Sequence, residues 1–465
     1  MVGDAPPRAR TLPDEVDVVV VGAGLAGLTA ARVALRAGLE PLVLEARDRV
    51  GGRVVGESVA EGIDVELGGQ WLAGRNKRAQ ALAAEAGIEL FPTYDEGNDL
   101  LEVSGEVRRQ RGRVPPLRPA ALLDVGLARL RLDRQARTVP PDAPWQAARA
   151  EEWSRMTVSA WLDRATRTAE GRSVLQTAIA TVWGAEAHQL TMLQALAHIG
   201  AAGSFDATTT TDLGLRVAGG SHLLPAHLAA ELDGRVVREC AVTGIRDLGE
   251  RVEVDAIGGR VRARRVIVTV PPALVARIGF DPPLPAARHQ AIAALPMGHI
   301  IKVAAVYDAP FWRDRGLSGR ALSMEGPVTG TFDNSPPEGR PGVLVGFVPG
   351  DRARALAVRP PAERRAAVLA SFARLFGGAA AQPRRYLEKD WAAEEWTRGC
   401  YFGIATPGSM TGPVRDLRKP TGRIHWAGAE TALANYGGMD GALTSGERAA
   451  GEVVAALSTT LEQLA

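Results

Sequence analysis

At 465 residues and a formal net charge of +2, the chain is too long for one ordinary core and too balanced to argue for nucleic acid or an anionic membrane. Its only cysteines, Cys240 and Cys400, exclude a disulfide framework and point to a reducing, cytoplasmic setting. No stretch reaches the roughly 18 apolar residues of a membrane span, residues 1–16 lack a secretory core, and the histidines show no ligand spacing, so no metal is expected.

The first predicted elements form one unit. Val18 to Val21 is an unbroken apolar run, as a parallel strand covered on both faces requires. Gly22, Gly24 and Gly27 follow in G-x-G-x-x-G spacing, giving a tight turn, a close backbone approach to a pyrophosphate and close helix–strand packing. Thr29 to Ala37 reads as the helix whose N-terminal amides face the phosphates. A second apolar run, Leu42 to Leu44, ends at Glu45, where a carboxylate can accept both ribose hydroxyls and would repel a 2′-phosphate. Strand, glycines, helix and acid in that order specify a dinucleotide site, with NADP disfavoured. Arg47, Gly51, Gly52 and Arg53 then place cations and loose backbone where a second phosphate contact would fall.

Leu67-Gly68-Gly69-Gln70-Trp71 is a second glycine-dense stretch, followed by a helix at Asn76 to Ala86. A hairpin is expected from Leu100 through a Ser104-Gly105 turn to Val107 onward, and Arg108 to Arg118 reads as a solvated face. Pro119 to Gly200 is mostly helical, with Thr157 as an N-cap; Thr208 to Thr211 breaks the periodicity. Gly234 to Asp247, Arg251 to Ala256 and Arg262 to Val270 read as strands, the last returning to the nucleotide sheet. A helix at Leu284 to Leu295, a strand at His299 to Tyr307 and a long helix at Ala362 to Phe376 precede a final strand, glycine-rich loop and helix over Ile424 to Ala456.

Within the His299 to Tyr307 strand, period 2 places Lys302 with Ile300, Ala304 and Val306, while the opposite face is equally apolar. Such a lysine either snorkels to a strand end or has a task. Cys400, read alone, is a buried inert thiol, and Tyr401 an ordinary core tyrosine.

These segments together resemble the flavin-containing amine oxidase family, closest in pattern to monoamine oxidases. The resemblance rests on E-A-R-x-R-x-G-G-R from Glu45, on Ile301-Lys302 with Pro310-Phe311-Trp312, on Trp391 with Gly399-Cys400-Tyr401, and on A-G-x-E-T with the G-x-M-x-G-A signature around Met439. It extends from Val16 to about Val454 and includes Pro140 to Trp145, Glu151 to Thr157 and Val270-Pro271-Pro272. It implies an α/β fold, a Rossmann-like FAD domain (14–90, 217–293, 394–457) with an α+β substrate domain (91–216, 294–393) and flexible termini at 1–13 and 458–465. The implied activity is oxidation of an amine to an imine with O2 reduced to hydrogen peroxide. The expected partners are a small-molecule amine and O2, neither nucleic acid nor membrane, with a homodimer open as the assembly.

By the same resemblance, Lys302 holds a water against the flavin and Tyr401 is one wall of an aromatic cage. Cys400 is either an inert thiol or the thioether link to FAD. Flavin contacts are implied for Gly22, Ala23, Gly24, Leu25, Ala26, Gly27, Glu45, Ala46, Arg47, Gly52 and Arg53. Further along they are implied for Gly68, Gly69, Gln70, Trp71, Val242, Trp391, Cys400, Gly428, Glu430, Gly438 and Met439. The substrate pocket is expected at Phe205, Gly330, Tyr401, Tyr436 and Gly438. Glycine at 330 and 438, where the family carries large residues, predicts a wide pocket and a bulky or substituted amine. An L-amino-acid oxidase would need an arginine such as Arg216 or Arg108 for the carboxylate. A polyamine or putrescine oxidase and a flavin desaturase are further rival activities for the same fold.

Overall fold

Val18 to Val21 is buried because the Glu15–Val21 strand pairs in parallel with Pro41–Leu44 on one side and Gly259–Val268 on the other. The computed structural model describes residues 12–462 apart from 61–62, 113, 212–213 and 433. Around these strands lies an eight-stranded sheet that also takes in Val236–Val237, Val252–Ala256, Val242–Asp247, Gly279–Asp281 and Ile424–Trp426. The expected return of the Val266 region to the first strand is in place, with Val19 opposite Val266 and Val20 opposite Ile267.

The run read as one strand over Gly234 to Asp247 is two. Val236–Val237 continues the parallel side of the sheet beside Pro41–Leu44. Glu239, at φ 57, then turns the chain, and the Glu239 and Cys240 amides donate to the Arg47 and Glu45 carbonyls. Val242–Asp247 starts afresh, antiparallel to Val252–Ala256. Alternation alone cannot reveal that one β-rich run feeds two ladders.

Leu25–Arg36 and the closing helix Met439–Glu462 stack on one face of this sheet, burying Leu28, Ala31, Leu443, Ala450 and Val453 in a common core. The expected flexible end at 458–465 thus begins inside the closing helix, and that at 1–13 lies mostly outside the described residues.

A second, seven-stranded sheet runs Arg385–Asp390, Ile300–Tyr307, Gly342–Pro349, Gly330–Asp333, Leu317–Ser323, Asn98–Val103, Glu106–Gln110. All eight residues of Ile300–Tyr307 are buried, for a clear reason. Ile301, Val303 and Ala305 pack with Phe372 and Phe376 of the Pro361–Phe376 helix. Ala304 and Val306 pack with Val65 and Leu67, next to the glycine-dense stretch. Lys302 belongs to this second face. The Pro119 to Gly200 region is helical as expected, capped by Thr157, Thr168 and Thr191 and sealed by Trp153, Trp161 and Trp183.

Candidate active site

Gly22 turns at φ +102, and a Cβ on Gly27 would lie 1.9 Å from the Gly22 carbonyl oxygen, so strand and helix approach to backbone contact there. The helix begins one turn earlier than its sequence pattern suggests, at Leu25, and its N-cap Gly24 offers no side chain to its first amides. A Cβ on Gly24 would meet no protein atom within 4 Å, so that space belongs to the cavity in front of the helix. Free amides, the helix dipole and open volume make an anion cradle. Glu45 stands beside it, buried, with one carboxylate oxygen taking the Ala23 amide at 2.7 Å and the other the Arg47 amide at 2.9 Å. Each oxygen keeps a lone pair for a ribose hydroxyl. Arg47 turns away to Thr397 and Glu394, and Arg53 forms a two-pronged pair with Glu430 at 2.6 and 2.9 Å. Arg53 also donates to the Tyr401 carbonyl at 2.7 Å, fastening three distant segments together.

One cavity of about 440 Å³ extends from this cradle to Lys302. Gly22, Gly24, Leu25, Ala26, Glu45, Ala46, Arg47, Gly52 and Arg53 line its first part. Gly68, Gly69, Gln70, Trp71, Val242, Trp391, Cys400, Tyr401, Gly428, Tyr436, Gly438 and Met439 continue it. Ala23, Gly27 and Glu430 stand behind the lining and hold Glu45, Gly22 and Arg53 in place. The FAD-contact residues expected from sequence are therefore gathered around one space. Its donors, open glycine and acidic side chain suit an FAD dinucleotide.

Lys302 is 1 % exposed, and its Nζ donates to the Gly68 carbonyl at 3.0 Å and to Gln70 Oε1. Gln70 in turn donates to Asn334. The Trp71 and Phe347 rings flank the amine, each centroid 5.6 Å from Nζ. Burial pulls the ammonium down to about 7; Glu66 opposes this, Arg216 adds to it and Cys400 opposes it. Trp391 donates to the Leu67 carbonyl at 3.0 Å, bracing the loop beneath. Cys400 is buried, and desolvation pushes its thiol up. Tyr401 donates from its hydroxyl to the Thr181 carbonyl at 3.2 Å, and Tyr436 to that of Gly403 at 2.9 Å, each ring thereby held as cavity wall.

Two pocket expectations need correction. Phe205 does not line the cavity: it is buried in the helical core, its amide bonded to Asp133. The lining residues of that segment are Thr208 and Thr209, in the π-helical turn Ala207–Thr211. Gly330 does not open the pocket either, because a Cβ there would meet Thr181 Cγ2 at 2.8 Å. Thr181, locked to Thr177 and Thr329 at 2.8 and 2.7 Å, occupies that space and is itself lining. Gly438 does line the cavity, with only the Asn435 carbonyl near an added Cβ. Of the arginines considered for a carboxylate, Arg216 is buried against Glu66 away from the cavity, and Arg108 pairs with Glu106 and Glu170. Sequence reading missed Arg75, Thr181, His198, Phe332 and Phe347, none of which stands in a motif.

Residues 25–454 match the profile of flavin containing amine oxidoreductases. The chain belongs to that family. This amine oxidase is 42% identical over 97% of its length to a Mycobacterium tuberculosis protein named as a flavin-containing monoamine oxidase, covering 99% of it. Human flavin-containing amine oxidase B is 35% identical, with 96% of this chain and 87% of that one covered. The solved structure of putrescine oxidase bound to putrescine superposes with a TM-score of 0.92 at 35% identity, over 96% of this chain and 100% of that one. Cyclohexylamine oxidase from Brevibacterium oxydans gives 0.91 at 29% identity, with the same coverages of 96% and 100%. The fold is thus the α/β fold of FAD amine oxidases, and the cofactor is FAD. Among the described residues no helix is long and apolar enough to cross a membrane. One acid–histidine cluster, Glu85 with His227 and Glu231, shares its carboxylates with Arg32 and Arg36 and is an ion-pair network.

Proposed function

We propose that this FAD-dependent enzyme oxidises a monoamine held in the aromatic part of the cavity, with Lys302 and Tyr401 as the side chains that act on it. The observation that carries the reading is Lys302, a lysine poised near neutrality and flanked by the Trp71 and Phe347 rings in the cavity that Tyr401 also lines. A neutral lysine has two N–H donors and one lone pair. Gly68 and Gln70 take the donors, so the lone pair remains to hold a water or accept a proton from an arriving ammonium. Bound FAD supplies the two-electron redox chemistry, with O2 as the terminal oxidant. Tyr401 orients the amine by its ring face, and the tight surroundings of Lys302 exclude bulk water.

With the space beside Gly330 filled by Thr181, Gly438 alone supports a pocket wide enough for a bulky amine. Bulky or substituted monoamines remain the class we favour. The two discontinuous domains, 14–90, 217–293 and 394–457 against 91–216 and 294–393, are supported by the eight- and seven-stranded sheets, since no strand of either falls in the other set, while the small sheet of Trp71–Leu72, Leu215–Val217 and Leu90–Pro92 bridges the boundaries. Cytoplasmic location is supported by the two cysteines being free and buried, and homodimerisation is open to sedimentation. Cys400 lines the cavity and is the residue through which FAD would be tethered; flavin left on acid-precipitated protein would support the tether, and its full release would exclude it.

The deciding experiment is anaerobic mixing of the yellow holoenzyme with separate panels of monoamines and α-amino acids. Bleaching by monoamines, reversed by air with release of peroxide, is the expected outcome. Bleaching by amino acids alone would overturn the reading.

A further inference from the structure

Lys302 stands at the head of a polar chain that leads away from the cavity. Its Nζ meets a backbone acceptor, the Gly68 carbonyl at 3.0 Å, and a side-chain acceptor, Gln70 Oε1. Gln70 is buried, and its Nε2 donates to Asn334 Oδ1. Asn334 is buried as well and does not line the cavity. Its backbone amide donates to the Val343 carbonyl at 2.7 Å, and its Nδ2 has no partner among the described residues. A buried ion pair braces both flanks of this chain. Arg216 donates to the Ser335 carbonyl at 2.6 Å and to Glu66 at 3.2 Å. The other Glu66 oxygen takes the Ser221 amide at 2.9 Å, and the Ser221 hydroxyl donates to the Gly69 carbonyl at 2.6 Å.

A neutral amine anchored through one N–H can still turn about its Cε–Nζ bond, whereas two anchored N–H groups leave its lone pair a single direction. The Gln70 amide has two unlike ends. Its oxygen accepts from Lys302 and leaves the lone pair free; its nitrogen in the same place would donate to the lone pair and consume it. Asn334 decides between them, because its oxygen holds the Gln70 nitrogen and so keeps the Gln70 oxygen on the lysine. From this arrangement we infer that Gln70, set by Asn334, is a positioning residue that keeps the Lys302 lone pair free and fixes its direction. The inference rests on the amine-oxidase reading of Lys302. The charged groups around the lysine are matched among themselves: Glu66 with Arg216, the cross-strand Lys389 with Glu394, and Asp333 with Arg313. Burial holds Cys400 and Tyr401 neutral.

The test is anaerobic stopped-flow reduction of the holoenzyme by a saturating amine across pH. The amine's own ionisation is common to all variants, so differences in the midpoint report Lys302. Gln70→Glu keeps the shape and an oxygen on Nζ, and the idle Asn334 Nδ2 can turn to donate to it. It should raise the midpoint by about one pH unit or more, since a carboxylate favours the ammonium, and keep the high-pH plateau close to wild type. Gln70→Met should lower the midpoint, since the ammonium loses an acceptor, and lower the plateau about 10- to 100-fold. Asn334→Leu should lower both as well, by releasing the Gln70 nitrogen onto the lone pair. It lies behind the lining and so serves even where Gln70→Met fails to take up FAD. Read without turnover, Gln70→Glu should narrow the window above pH 7 in which stability rises with pH, because it lifts Lys302 back toward 10.5. Slower variants whose midpoints all stay at the wild-type pH overturn the inference, since their role would then be structural. So do Glu and Met variants that shift in the same direction, and so does loss of FAD from Gln70→Glu, which would assign Gln70 to the cofactor. Failure of every amine to bleach the wild-type flavin sinks the amine-oxidase reading itself, and this inference with it.

Discussion

The cradle around Glu45 and the compartment around Lys302 are two parts of one cavity built on opposite principles. In the cradle, backbone does the binding: free amides, a glycine turn and one acid whose oxygens are fixed by other amides. Such a site depends on local sequence, because turn, helix start and acid all fall between Gly22 and Glu45. In the compartment, side chains from segments far apart in sequence do the work. Trp71, Thr181, His198, Lys302 and Phe347 each come from a different element, and Tyr401 from the loop after Arg385–Asp390. The first kind of site tolerates little change, whereas the second can be retuned residue by residue.

The sharpest way to break the cradle is Gly27→Val. Its Cβ would lie 1.9 Å from the Gly22 carbonyl, backbone against backbone, so no rotamer relieves the clash. Overpacking of this kind costs about 1–3 kcal/mol or more. Near-complete loss of bound FAD is expected, read as flavin absorbance per mole of purified protein. Retention of full flavin would show that helix and strand are less tightly coupled than the geometry requires.

In the compartment the largest effect should come from Lys302→Met. Flavin reduction by a good amine should slow by about 100- to 10,000-fold, the usual range for a proton-handling side chain, while FAD content stays unchanged. Stability should move the other way. With its pKa lowered from 10.5 to about 7, Lys302 is neutral in the folded state and charged in the unfolded state between those values. The unfolded state therefore binds more protons there, and wild-type stability rises with pH across that window from this group. The methionine variant loses that slope and should melt higher near pH 7. A lower melting temperature would mean that the Gly68 and Gln70 contacts outweigh the desolvation of Lys302.

What could be read in advance follows the same division. The strand, turn, helix and acid of the cradle were legible because each has a local signature, and Lys302 stood out because both faces of its strand are apolar. Phe205 and Gly330 were misplaced because their roles depend on neighbours across the fold. Thr181, from the Ala169–Trp183 helix, fills the space beside Gly330, and a π-helical turn presents Thr208 and Thr209 in place of Phe205. Arg75 carried no signal at all, since only the fold brings it beside Asn435 and into the lining. The broken run at Arg238–Ala241 failed for a related reason, its turn being set by pairing to Glu45 and Arg47.

Gly330 and Gly438 allow a paired test of the compartment. Gly330→Ala should destabilise by about 1–3 kcal/mol, because Thr181 must give up hydrogen bonds to Thr177 and Thr329 to clear the new methyl. Gly438→Ala meets only the Asn435 carbonyl, at 3.2 Å, and should cost less in a thermal melt. It should also raise KM for the bulkiest amines, which Gly330→Ala should do less. The opposite ranking of the two melts would return Gly330 to the open wall.

The smallest expected effect concerns His198. Burial lowers its pKa from 6.5 to about 4, so between those values the unfolded state holds the proton and the folded state does not. Stability from this group is therefore complete above 6.5 and is lost as pH falls toward 4. His198→Phe keeps the edge-on packing against Trp183 and Phe402 and removes the titration. Denaturant melts taken about one pH unit apart below 6.5 should show the wild type losing about 1 kcal/mol more than the variant. Equal losses would mean that water reaches the ring through the cavity, and that the compartment is wetter than its aromatic walls imply.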